Sequence, residues 1–252
     1  MDIETLAATL AKARETGIQA RPGFPDPAPT QEQAYEVQAH ANALYADEFA
    51  GWKCGATNEN ARKGLGIDDS FIGPVPKRAL RGDGATIPFC ETVGAVEPEI
   101  AFRLASDLGE GADAAAAKAA VGAAHLALEV IGRCVVGPGF ETGVGLTLDF
   151  AGNAFLVIGP EIEGWAKKDL AAIEVRAMRD GAVLQTGSTA NVMGDPYASL
   201  AWAANRLARD GKSLKAGDWV STGTCTAPVG AAKDTTVSAE FEGLGSVSVV
   251  FG

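Results

Sequence analysis

A glutamate stands where a strand should be wholly apolar. The run Leu126-Ala127-Leu128-Glu129-Val130-Ile131 contains no other polar residue. A short apolar run of this kind reads as a central strand buried on both faces. An unpaired carboxylate there is costly, so the fold must protonate Glu129, pair it with a cation or give it to a metal ion. Arg133, just beyond the run, is one pairing candidate. Any fold for this chain has to bring a second group to this strand.

A second acidic feature lies upstream, in Val96-Glu97-Pro98-Glu99-Ile100-Ala101-Phe102. Side chains alternate along a strand, so Glu97 and Glu99 share one face while Val96, Pro98, Ile100 and Phe102 share the other. On a helix the same spacing separates the two glutamates by roughly 200°. Two adjacent carboxylates repel and gain from a cation between them. Oxygen-only ligation favours Mg²⁺, Mn²⁺ or Ca²⁺ over zinc. The plainer reading is a solvated edge strand, which Pro98 permits. With Glu129 added, three carboxylates suit an octahedral ion that keeps open positions for substrate and water.

Around these segments the chain changes character once. Asp2 can cap a first helix carrying Leu6, Leu10 and Ala13 at helical spacing. The Pro-rich stretch 21–30 reads as an extended connector, and a second helix is expected from Gln31 to Ala46. From Phe49 onward Gly and Pro punctuate the β-rich runs WKCG, FIGPVP, ATIPF and VEPEIAFRL. An Ala-rich helix is expected over 113–124. A hairpin turns at Asp180-Gly181, and a helix starts at Asp195-Pro196 and ends near Gly211. The last part returns to strands, closing on GSVSVVF. This divides the chain into a helical N-terminal part, 1–48, and a β-rich catalytic body, 49–252, read together as a single domain.

Charge narrows the function classes. Lys plus Arg is 21 and Asp plus Glu is 32, a formal net charge of −11, which repels phosphate backbones and anionic membranes. Nucleic acid and membrane are therefore excluded as partners. The four cysteines are widely spaced with no CxxC pair, so neither structural zinc nor a disulfide framework is expected. The N-terminus carries acidic residues and no apolar core, unlike a signal peptide, and a cytoplasmic protein with reduced thiols is expected.

Lys53, in Gly51-Trp52-Lys53-Cys54-Gly55, is the candidate catalytic group. A lysine beside a polarised carbonyl can orient water or move a proton. The competing reading is a surface lysine with its stem on Trp52. Of the two histidines, His40 falls on a helix face and His125 reads as a core histidine. No Ser-His-Asp or Cys-His arrangement is credible.

The order of the pieces is similar to that of a known family. YEVQ (35–38), GWKCGATNENARKGLGID (51–68), VEPEIAFRLASDL (96–108), LALEVIGR (126–133) and DFAGNAFLVIG (149–159) carry the resemblance, as do QTGSTANVMGDP (185–196), AWAANRLARDGKSLKAGDWVSTG (201–223) and LGSVSVVF (244–251). The chain resembles the 2-oxopent-4-enoate hydratase and 4-oxalocrotonate decarboxylase family of the fumarylacetoacetate hydrolase superfamily. The match covers nearly the whole chain and is weakest before residue 31.

The resemblance implies an α+β fold: a mixed β-sandwich or roll of the fumarylacetoacetate hydrolase C-terminal type, with a small helical N-terminal part. It implies a Mg²⁺ or Mn²⁺ site, with Glu97, Glu99 and Glu129 matching the family's ligands and Lys53 its catalytic lysine. The stretch Thr222-Gly223-Thr224 matches a segment lining the substrate pocket, with Thr224 as the substrate-binding residue. The sequence also departs from the family. Phe71 falls where the hydratases tend to place a catalytic aspartate. The family's Asp-Ser/Ala-Arg after the LE glutamate becomes Gly132-Arg133-Cys134, and its Asp-Asn pair becomes Asp149-Phe150.

The expected function is a metal-dependent lyase that hydrates a small 2-oxo-4-enoate to a 4-hydroxy-2-oxo acid. Decarboxylation of a 2-oxo-hexenedioate is the close alternative, toward which Phe71 leans. Acylpyruvate hydrolysis and a non-catalytic metal-binding homologue rank below. The resemblance, with 47% hydrophobic residues, also implies a homo-oligomer. Light scattering at micromolar concentration should therefore give a mass above the 25.8 kDa of one chain, and a value at that mass would contradict the expectation.

Overall fold

Local signals set the ends of most elements. In the computed structural model, which describes residues 2–252, α1 spans Ile3–Thr16 and α2 spans Gln31–Tyr45. The Asp2 carboxylate accepts from the Thr5 N–H, and Thr30 forms a capping box with Gln33. The body follows as β1 (Phe49–Gly55), α3 (Glu59–Leu65), β2 (Phe71–Pro76), β3 (Leu80–Gly82), β4 (Ala85–Ile87) and β5 (Val93–Leu104). Next come α4 (Ala114–Ala120), β6 (Val121–Gly132), α5 (Gly143–Leu148), β7 (Asn153–Glu161), β8 (Glu174–Arg179) and β9 (Ala182–Ser188). The chain ends with α6 (Pro196–Ala208), β10 (Trp219–Ser221), β11 (Val229–Gly230), β12 (Thr235–Phe241) and β13 (Gly245–Phe251).

Two sheets carry this order. The larger runs β2-β1-β10-β5-β6-β7-β3 with β11 also on β5, and the smaller runs β4-β13-β12-β8-β9. The β2 and β3 edges of the larger sheet are joined only by the 3₁₀ turn Lys77–Ala79. A three-residue link reaches only about 10 Å, so the sheet must curl until its edges approach, and β2 does contact β7. The result is a roll packed against a second sheet, the α+β architecture expected.

The outer face of the roll meets the smaller sheet. Val96, Ile100, Phe102, Leu126, Leu128 and Val130 join Val237, Ala239, Phe241, Val247, Val249 and Phe251 in one core. Leu200, Ala203, Ala204 and Leu207 of α6 complete it, and Tyr197 stacks on Phe102 with ring centroids 4.8 Å apart. The inner face holds a smaller plug of Val75, Ala79, Ala101, Ala127 and Leu156. α1 and α2 form a third cluster with Phe140, Leu148 and Phe150. Gln38 ties that cluster to the roll, donating to the carbonyls of Ile72 (3.2 Å) and Thr147 (2.7 Å).

Some expectations need correction. The Ala-rich helix stops at Ala120, and Val121–Ala124 already belongs to β6, paired with Leu104–Phe102 of β5. Cross-strand pairing overrides the helix preference of alanine. The edge-strand reading of the Glu-Pro-Glu segment fails, because β5 lies between β10 and β6. Pro98 is tolerated because β10 pairs only from Ala101 and β11 only at Ala95 and Val96, leaving a gap in which Cys225 N–H donates to the Pro98 carbonyl. α3 and α5 were not expected at all. Their caps, Asn58 and Thr142, open segments too short and glycine-rich to show a period. The Asp180-Gly181 hairpin and the Asp195-Pro196 helix start stand as read, with both turn residues at positive φ.

Strand approach inside the roll depends on missing side chains. A Cβ on Gly51 of β1 would lie 2.1 Å from the Trp219 carbonyl oxygen of β10. Gly51→Ala should therefore destabilise the protein by about 3 kcal/mol, the upper end for overpacking, read from the urea denaturation midpoint. A loss under about 0.5 kcal/mol, the scale of a neutral surface change, would contradict this packing.

Candidate metal centre

Register brings the acids together. Glu97 of β5 and Glu129 of β6 are direct cross-strand partners, and Glu99 is the next position of β5 on the same face. All three point into the roll, and one oxygen from each lies within 4.8 Å of the others. Glu99 and Glu129 are fully buried, while Glu97 keeps partial access to solvent. Adjacent antiparallel strands therefore supply a three-carboxylate cluster without any loop.

Neighbouring strands hold these groups in place. Lys53 of β1 registers with Ser221 of β10, which registers with Ala101 of β5, so all three share the inner face with the glutamates. Ser221 Oγ donates to Glu99 Oε2 at 2.5 Å, and the Gly223 N–H donates to the same oxygen at 2.8 Å. Gly223 has φ of +113°, and a Cβ there would lie 2.1 Å from Thr57 Oγ1, so glycine alone fits. On the other side, a register shift between Val130 and Ile131 turns Asn153 of β7 inward. Its Nδ2 donates to Glu129 Oε1 at 3.1 Å. Lys53 Nζ lies 3.1 Å from Glu129 Oε2 without hydrogen-bond alignment.

The electrostatics of this cluster are unbalanced. Burial, then the Glu129 charge, pushes the Glu97 carboxyl up to about 7, with Lys53 opposing. Burial and the two neighbouring acids raise Glu99 well above the carboxylate range, and burial raises Glu129. Burial alone would lower the proton affinity of Lys53, but Glu129, Glu97 and Glu99 together outweigh it and hold the ammonium form. One ammonium cannot neutralise three carboxylates. Glu99 Oε1 and Glu129 Oε2 are also buried without a hydrogen-bond partner. Two orphaned oxygens inside an all-oxygen donor set fit a hard divalent cation.

Several residues read in the sequence land elsewhere. Lys53 does not cover Trp52 at the surface; it is only 4% exposed. Arg133 does not pair with Glu129: its Nε faces Asp149 at 3.9 Å and Nη2 donates to the Phe140 carbonyl. Thr224 follows Gly223 directly, but its hydroxyl donates to the Thr226 carbonyl at 2.6 Å. Phe71 places its ring centroid 5.4 Å from Lys53 Nζ. His40 is exposed on α2, and His125 Nδ1 lies 2.9 Å from the Gly159 carbonyl, engaged in structure. Ser221, Gly223 as a donor, Asn153 and Arg14 were not singled out. Nothing local marks them: strand register directs Ser221, a bulge directs Asn153, and the tertiary packing of a loop and of α1 places Gly223 and Arg14.

The model of the fumarylacetoacetate hydrolase C-terminal family matches residues 49–251. The chain belongs to that family. It is 32% identical over 259 residues to 2-keto-4-pentenoate hydratase of Burkholderia vietnamiensis, covering 99% of this chain and 97% of that one. It is 27% identical over 227 residues to 4-oxalocrotonate decarboxylase of Pseudomonas sp. strain CF600, covering 88% and 86%. Among solved structures, 4-oxalocrotonate decarboxylase from Pseudomonas putida G7, complexed with magnesium and adipate, superposes with a TM-score of 0.91. It has 25% identity and covers 99% and 97% of the two chains. The chain is thus an enzyme of the lyase type, of the hydratase and decarboxylase branch of the family.

A divalent cation held by these oxygens would compete with protons for them. With the Glu97 carboxyl at about 7 rather than 4.5, the folded protein binds more protons than the unfolded chain across that window. Stability of the metal-free protein at this group therefore falls as pH rises toward 7, and the gain from an added cation grows. Mn²⁺ should bind at least about tenfold more weakly at pH 6 than at pH 8, the loss expected for displacing the Glu97 proton alone. Calorimetric titration at both pH values measures this, and a pH-independent affinity would exclude Glu97 as a competing site.

Proposed function

We propose that Glu97, Glu99 and Glu129 hold a Mg²⁺ or Mn²⁺ ion and that the enzyme hydrates a small 2-oxo-4-enoate to a 4-hydroxy-2-oxo acid. The observation that carries this reading is the buried three-carboxylate cluster with two orphaned oxygens and a single ammonium in contact. The Pseudomonas putida G7 decarboxylase, complexed with magnesium and adipate, supports both the ion class and a carboxylate-bearing ligand. When bound, such an ion supplies Lewis-acid polarisation of the carboxylate and C2 carbonyl of a 2-oxo acid.

The chain's own residues divide the remaining work. Ser221 and the Gly223 N–H fix one oxygen of Glu99, leaving the other free. Lys53, held as an ammonium, is a donor rather than a base. It donates to the C2 oxygen. From the dienol form of the substrate the enol O–H proton is lost as C5 gains one, giving the conjugated 3-enoate. Water oxygen then bonds to C4 while Lys53 gives C3 a proton that the water returns to it. Thr224, next to Gly223, lines the substrate side. The inner plug of Val75, Ala79, Ala101, Ala127 and Leu156 closes the roll behind the site and keeps bulk water from that side.

Phe71 favours the second reading. At position 71 an aromatic ring rather than a carboxylate faces Lys53, so no acid activates water from that position. Decarboxylation of a 2-oxo-hexenedioate needs no such water: the C–CO₂ bond breaks, its electron pair enters the conjugated enolate, and a proton returns to carbon. A panel of 2-oxo-enoates and 2-oxo-hexenedioates with Mg²⁺ and Mn²⁺, monitored for conjugated absorbance and CO₂ together, separates the two. Absorbance loss without CO₂ is hydration, and stoichiometric CO₂ is decarboxylation. Neither signal from a protein that binds Mn²⁺ would leave only a binding homologue.

Lys53→Met should lower turnover by about 10²-fold or more, typical of lost acid–base help. Mn²⁺ affinity should hold or rise, since a neighbouring positive charge is gone. Titration and steady-state kinetics on the same preparation measure both, and turnover within about threefold of wild type would remove Lys53 from the reaction.

A further inference from the structure

Arg14, on the N-terminal helix, reaches the acid cluster through one intermediate. Its Nη2 donates to Asn153 Oδ1 at 3.1 Å, and Asn153 Nδ2 donates to Glu129 Oε1 at 3.1 Å. Asn153 is 3% exposed and Glu129 is fully buried. The guanidinium stacks over Phe150 at 4.4 Å and Tyr45 at 5.2 Å from their ring centroids. Among the described residues it forms no salt bridge with an acid, and Nη1 is buried without a partner. Arg14 is half-buried, and the two rings and the Asn153 oxygen offset the desolvation of its guanidinium.

The chemistry of that contact is directional. A guanidinium only donates, so the Asn153 side facing it must be the amide oxygen. The amide nitrogen is then turned toward Glu129, where it can only donate. The Glu129 carboxylate only accepts and so selects the same end, and the amide is held in one orientation from both sides. With Oε1 fixed by this donor, Glu129 directs its remaining oxygen, Oε2, toward Lys53 and the other acids.

We infer that Asn153 is a positioning residue for the Glu129 ligand and that Arg14 anchors its amide in place, so that the N-terminal helix supports the metal centre. This rests on Glu129 acting as a metal ligand. Outer-shell partners of ligating groups commonly change metal affinity by about 10- to 100-fold when removed. The helical N-terminal part thus determines how firmly the roll grips its ion, although none of its own side chains touches it.

Mn²⁺ titration of the folded, full-length protein tests the link without using turnover. Asn153→Leu, close in shape but without the donor, should raise the Mn²⁺ Kd about tenfold. Arg14→Met should raise it about three- to tenfold, and adding Arg14→Met to Asn153→Leu should change it no further, because the two act in series. An unchanged Kd in a folded Asn153→Leu protein overturns the inference even if Arg14→Met does not fold. Additive losses in the double variant, or a lowered Tm with wild-type Kd in Arg14→Met, overturn the role of Arg14. Wild-type protein that binds no Mn²⁺ would overturn the metal reading itself, and a wild-type site that binds normally in every variant would overturn only this inference.

Discussion

Three carboxylates buried against one ammonium are the constraint around which this molecule is arranged. Their mutual repulsion is tolerable only where strands lock their positions and hydrogen-bond donors or a cation answer their charge. Every strand near the centre of the roll contributes: β5 two acids, β6 the third, β1 the lysine, β10 the serine and β7 the asparagine. Loops add only the Gly223 amide. A site built on paired strands is rigid, which suits an ion whose donor geometry must be held closely.

That rigidity depends on the two faces of the roll having opposite jobs. The outer face is a continuous apolar surface, buried by the second sheet and α6. The inner face carries small side chains where space is needed and polar ones where chemistry is done. Ala101 and Ala127 flank the acids, and Gly51 and Gly223 allow approaches that no side chain permits. The outer face stabilises the fold, and that stability offsets the cost of charge within.

The family departures gather on the inner face and beside it. Phe71 packs near Lys53, Phe150 packs under Arg14, and the Asp149 carboxylate beside it accepts from the Cys134 and Val135 amides rather than meeting the acids. Burial leads the rise of Asp149 to about 6. The three acids and the lysine match the family pattern while the groups around them differ.

Glu97, Glu99 and Glu129 were legible from the sequence because each breaks a local pattern, paired acids at strand period and a charge in an apolar run, whereas Lys53 by itself reads as a surface lysine and was singled out by the family resemblance. Period-2 alternation, the Asp180-Gly181 turn and the Asp195-Pro196 start were legible for the same reason, being set by neighbouring residues. Pairing of distant segments was not. That β5 is central, that α4 yields to β6 at Val121, that Lys53 turns inward and that Arg14 reaches Glu129 through Asn153 all follow from register between strands far apart in the chain. Residue order alone shows which side chains could carry charge into a core. Only the tertiary structure decided which of them meet, because inter-strand register is a property of the whole sheet and of no single segment.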